Sequence, residues 1–105
     1  MSVSYVATWP DGQEEEVYLG TLRSLEQGWA PLAERLGLQY IPRFYSWCPV
    51  YPVMIDELLA ELAVFRPAVI TTYPEAAPQV VERIDDLMAA LRRLQQSDGW
   101  EADIG

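Results

Sequence analysis

The sequence predicts an α+β fold, in which a small sheet formed by N-terminal strand(s) and a C-terminal strand packs against three to four helices. Three observations carry this reading. Both ends of the chain alternate apolar with polar residues, at Val3, Tyr5 and Ala7 and again at Trp100, Ala102 and Ile104. The middle instead repeats apolar residues at spacings of three and four, the period of a helix with one buried face. The length is 105 residues, half of them hydrophobic. A domain of this size buries roughly 65% of the surface its unfolded chain exposes, so residues 1–105 are expected to form a single domain around one core, with no disulfide or metal needed.

The first strand is followed by the turn residues Pro10, Asp11 and Gly12, and a second strand runs from Glu14 through Leu19. Three consecutive glutamates place charge on both faces of that strand, which suits an edge. Thr21 or Ser24 can cap a helix carrying Leu22, Leu25, Trp29, Leu32 and Leu36 that ends at Gly37. Gly28 and Pro31 interrupt it, predicting a kink near Trp29 or two short helices, the second from about Ala30 to Leu36. Pro42, Pro49 and Pro52 then exclude a long helix, so the stretch from Leu38 to Pro52 is expected to be extended or irregular. Helical spacing returns from Val53 to Arg66. Pro67 is expected to end that helix, and the β-branched run from Ala68 to Tyr73 reads as a short strand or extended crossover. The longest helix is expected from about Gln79 to Gln96, with acids early and Arg92 and Arg93 late, as the helix dipole favours. Gly99 reads as its C′ residue, and the closing strand is expected to pair with the first.

Composition excludes much chemistry. The formal charge is −9, from sixteen acidic residues against seven arginines, without one lysine. Nucleic acid and anionic membranes draw affinity from clustered Lys and Arg, and the longest basic run here is Arg92 and Arg93, so neither is an expected direct partner. A basic protein is the better match. Histidine is absent, which removes the imidazole base, the histidine metal ligand and the histidine pH switch. Cys48 is the single cysteine, so no intrachain disulfide and no cysteine-based zinc site can form. With no histidine or lysine to make it a thiolate, Cys48 is expected to be an inert thiol. The glycines never approach a phosphate-cradling spacing. The carboxylate clusters on the helices read as solvated faces. No catalytic residue, cofactor or metal is expected, and the chain is read as not an enzyme. Neither a signal peptide nor a bilayer-spanning segment is seen, and a reducing, cytoplasmic setting is expected.

Two features suit a protein partner. The first is the aromatic and proline-bearing stretch with Tyr40, Arg43, Phe44, Tyr45, Trp47 and Tyr51, residue types enriched where binding energy concentrates. The same rings can instead close the core, and alternation would let them do both. The second is the pair of acidic clusters, Glu14, Glu15 and Glu16 near one end and Glu101 and Asp103 near the other. They lie together if the terminal strands pair, and their field would steer a basic partner.

The order of parts resembles a known family. A short N-terminal strand region, a helix, an aromatic connection, the stretch Ile55 to Phe65 reading IDELLAELAVF, a long final helix and a closing strand before Gly105 are similar to small immunity proteins of bacterial polymorphic toxin systems. That resemblance implies a cytoplasmic protein that binds a cognate toxin and blocks its active site. The expectation is therefore a non-enzymatic acidic binding protein that neutralises a cognate, basic bacterial toxin. The alternative is a self-associating structural or scaffold protein, a homodimer that hides its aromatic surface against itself.

Overall fold

A computed structural model describes residues 1–105. Four antiparallel strands form one sheet: β1 (Ser2–Thr8), β2 (Glu14–Thr21), β3 (Cys48–Val50) and β4 (Glu101–Ile104), in the spatial order β2-β1-β4-β3. The terminal strands pair as expected, with Tyr5 opposite Ile104 and Thr8 opposite Glu101, and β2 is an edge. The other edge, β3, was not legible in the sequence. Pro49 lacks a backbone N–H, which an edge strand tolerates and an inner strand does not. Cys48, Pro49 and Val50 therefore pair with Ile104, Asp103 and Ala102 inside a stretch otherwise broken by prolines.

Every strand gives one face to the core. Val3, Tyr5 and Ala7 of β1, Cys48 and Val50 of β3 and Ile104 of β4 are buried, and the helices cover them. A β-bulge lets β2 turn into the first helix. Val3 pairs with Gly20 but Ser4 with Tyr18, leaving Leu19 as the extra residue, so Leu19 and Gly20 are buried in succession where alternation would allow only one. Gly20 has φ +154°, and a Cβ there would stand 2.6 Å from Ser24 Oγ and 2.9 Å from Leu25 Cδ1, so a larger residue is strained and displaces both side chains.

The first helical region contains α1 (Leu22–Ser24), a π-helical segment (Leu25–Trp29) and α2 (Ala30–Arg35). Thr21 is the cap, its Oγ1 accepting from the Ser24 amide at 3.0 Å. The break expected near Trp29 takes the form of the widened π turn, in which the Ala30 amide reaches back to the Leu25 carbonyl. Helix α2 closes at Gly37, with the Leu38 amide donating to the Ala33 carbonyl and the Gly37 amide to that of Glu34. This double bond pattern with Gly37 at φ +72° is the Schellman motif.

Helix α3 spans Ile55–Thr72 and overturns two expectations: Pro67 does not end the helix, and Ala68 to Thr72 are helical rather than extended. Pro67 removes one backbone bond, the one to the Ala63 carbonyl. Both residues are exposed, so water can satisfy what the proline leaves open. On either side Phe65 and Val69 are buried, and their packing holds the helix together across the gap. Helix α4 spans Ala77–Gln95 and buries Ile84, Leu87, Ala90, Leu91 and Leu94. Gly99 stands three residues beyond the Gln96 cap, in the turn to β4, rather than at the expected C′ position. Trp29 anchors the core between Phe65 at 5.4 Å and Phe44 at 6.5 Å, ring to ring. No helix is long and apolar enough to cross a membrane.

Candidate interaction surface

All the helices lie against one face of the sheet, and the other face has no cover. The residues that alternate with the core residues therefore meet solvent: Val6 and Thr8 on β1, Glu14 and Glu16 on β2, Glu101 and Asp103 on β4. Register places Val6 between Glu16 and Asp103, and Thr8 between Glu14 and Glu101. From strand spacing and rise, the four carboxyl-bearing residues stand at the corners of a rectangle about 10 Å across the strands and about 7 Å along them. Those separations are near a Debye length of ~8 Å at physiological salt, so the four charges act as one field. None of the four takes part in an ion pair.

Beside this acidic patch lie two large rings. Trp47 is 56% exposed and Tyr51 57%, and with Val6, Thr8, Glu101 and Asp103 they line an open concavity of about 430 Å³. Pro49 separates the two aromatics on the edge strand, holding them on the β3 side of the patch. Six of the residues singled out in the sequence thus share one face: Glu14, Glu16, Glu101, Asp103, Trp47 and Tyr51.

The other five do not join them in the same way. Phe44 is fully buried against Trp29 and offers no surface to a partner, because the 3₁₀ turn Ile41–Arg43 directs it inward. Tyr45 is half-buried and packs on the core. Glu15 points toward α4, where its carboxylate receives Arg93 Nε at 2.9 Å and Nη2 at 3.0 Å. Tyr40 is tied to α3: its hydroxyl donates to Glu57 Oε2 at 2.8 Å, and that bond to a carboxylate raises its pKa above 10.0. Arg43 is exposed and its backbone carbonyl accepts from Trp47 and Ser46.

Two residues important to this surface escaped the sequence reading. Val6 forms the apolar centre of the acidic rectangle, and alternation with Tyr5 and Ala7 was the signal that assigns it outward. Glu61 is the second. Its carboxylate accepts the backbone amides of Gln39, Tyr40 and Ile41 at 2.9 to 3.1 Å, fixing the start of the aromatic connection to α3. In the sequence it belongs to an acidic helix face, and nothing there shows that its partners lie some twenty residues upstream.

Burial pushes the Cys48 thiol above its usual pKa of 9.0, opposed by the nearby Arg43 charge, so the thiol is protonated at neutral pH. No three Asp, Glu or Cys side chains converge as metal ligands. Compared with protein-family models, curated proteins and solved structures, the chain matches none.

Proposed function

We propose that this protein is a non-enzymatic acidic binding protein that neutralises a basic partner, a bacterial toxin domain whose active site it occludes. The observation that supports the reading is the uncovered sheet face, where four carboxylates bracket Val6 and Thr8 next to exposed Trp47 and Tyr51. Clustered charge raises the rate of encounter with an oppositely charged protein, and large rings around a dry centre supply affinity once contact is made. The four carboxylates stand on paired strands and the two rings directly flank β3, so little order has to be gained on binding. Self-association through the same face fits less well: a two-fold pairing would oppose two copies of the carboxylate rectangle, in a chain with no lysine to offset them.

Capture from the native lysate on tagged protein tests the reading. A basic protein is expected to be retained at low salt, released at high salt, and to lose its toxicity or enzymatic activity in the complex. The variant combining Glu14→Gln, Glu16→Gln, Glu101→Gln and Asp103→Asn should fold normally and retain nothing. Trp47→Ala should weaken the complex by about 2 kcal/mol, roughly thirtyfold in Kd, while changing the stability of the free protein by less than about 1 kcal/mol. Equal capture by the charge variant, or a captured protein whose activity is unimpaired, overturns the proposal.

A further inference from the structure

On the opposite side of the molecule from the acidic face, a pocket of about 490 Å³ opens between the π-helical segment and the helices α3 and α4. Its apolar wall is made by Trp29, Phe65, Val69, Tyr73 and Val80, and its polar rim includes Arg23, Gln27, Gln79 and Arg83. The volume falls in the range of roughly 300–1,000 Å³ typical of sites for small organic molecules, and an apolar wall with a few polar groups is their usual composition.

Its charge is opposite to that of the rest of the protein. The chain carries sixteen acids against seven arginines, yet none of the thirteen residues lining this pocket is acidic and two are arginines. The ion pairs of the molecule are Arg66 with Asp85 and Arg93 with Glu15, so neither rim arginine has a carboxylate partner. Both are nevertheless positioned. Arg83 lies 4.8 Å over the Tyr18 ring and donates from Nη1 to the Leu19 carbonyl at 3.4 Å, and Arg23 Nε donates to Gln27 Oε1 at 3.4 Å. A groove of similar size, between β2 and α4, shows the contrast: there Arg83 and Arg93 are interleaved with Glu15, Glu16, Glu82 and Asp86.

The wall itself is unusual. The π turn widens the helix at Gly28, whose carbonyl accepts the Tyr73 hydroxyl at 3.0 Å. A Cβ added at Gly28 would meet nothing within 4 Å, so the absent side chain leaves open space at the pocket wall. π turns inside helices occur frequently at functional sites.

We propose that this pocket binds a small organic carboxylate, its apolar body against Trp29, Val69, Tyr73 and Val80 and its carboxylate between Arg23 and Arg83. Guanidinium groups form their strongest hydrogen bonds with such anions, and the unpaired pair at the rim supplies the charge that an apolar wall lacks. This inference does not depend on the sheet-face reading.

Titration of the whole protein with 1-naphthoate, followed by amide and indole NMR signals, tests it, with uncharged 1-naphthalenemethanol as the matched probe. Naphthoate is expected to saturate and to shift the Trp29 indole and the Gly28 amide, binding at least about tenfold more tightly than the alcohol. Arg23→Gln and Arg83→Gln should each weaken it about tenfold. Gly28→Leu should fill the space and abolish binding while the sheet signals stay in place, and Gly28→Ala should keep both fold and binding. The proposal is overturned if naphthoate does not saturate, if the alcohol binds as tightly, if the shifts fall elsewhere, or if both arginine variants bind like the wild type.

Discussion

The two faces of the sheet are made by the same strands, in an alternation broken only at the β2 bulge, and they differ sharply in burial and charge. Tyr5, Ala7 and Ile104 point to the helices and are fully buried; Val6, Thr8 and Asp103 sit beside them in sequence and point to solvent. The buried face has almost no polar atom, whereas the open face carries four unpaired carboxylates around a small apolar centre. Stability belongs to the first face, and the proposed recognition to the second. The difference teaches that the acids are unlike each other too. Glu61 binds three backbone amides and Glu15 receives Arg93, so these two are structural, while Glu14, Glu16, Glu101 and Asp103 are free to meet a partner.

Neighbouring residues on β4 give the sharpest test. Ile104→Ala is expected to destabilise by about 3 kcal/mol, since it opens a cavity in a closed core, and Asp103→Asn by no more than about 0.5 kcal/mol. Chemical denaturation of both variants checks this, and similar losses would erase the distinction between the faces. Among the acids, Glu61→Ala should cost about 2 kcal/mol by leaving the half-buried amides of Tyr40 and Ile41 without an acceptor, with Glu61→Gln recovering part of it. Any one acid of the open face changed to its amide should stay near the wild type.

Tyr5 sharpens the comparison from inside the core, because its hydroxyl is the one buried side-chain polar atom without a partner. Burial, aided by the charge of Glu15 and opposed by Arg93, pushes its pKa well above 10.0. A folded pKa above the unfolded value means the contribution is fully present below pH 10 and is lost as pH rises further, at about 1.4 kcal/mol per pH unit for one proton. Tyr5→Phe should remove that alkaline loss and leave stability at neutral pH equal or raised by about 1 kcal/mol, read from denaturation curves at pH 7 and pH 11. The smallest effect is expected at Asp85, whose exposed pair with Arg66 holds its carboxyl below 3.8. Its contribution is present above the unfolded pKa and is lost as pH falls through the folded one. Asp85→Asn should therefore lower stability at pH 7 by less than about 0.5 kcal/mol, and by nothing once the pH is below both values.

Much of the fold could be read from the residues. The terminal strands, the capped helix broken before Pro31 and the long α4 all rest on local signals: alternation, a capping threonine, helical spacing and a glycine after the last turn. The acidic clusters were also assigned to one neighbourhood on the strength of strand pairing alone. Two features were decided elsewhere. Pro67 stays inside α3 because burial of Phe65 and Val69 on either side outweighs one missing hydrogen bond, a balance that propensity cannot weigh. Strand β3 forms because β4 offers it a free edge, although Pro49 within it argues against a strand.

The aromatic connection shows the division most clearly. Its composition alone established that Tyr, Phe and Trp concentrate between Tyr40 and Tyr51 and that no helix runs through them. Which rings turn inward was settled by tertiary contacts: Glu61 pins the start of the segment, Phe44 drops against Trp29, and pairing with β4 leaves Trp47 and Tyr51 outside. Local sequence determines what each residue can do, through its period, its charge and its backbone freedom. Only packing determines which side of a surface it occupies, because burial depends on what lies opposite, and in this chain what lies opposite comes from positions twenty to a hundred residues away.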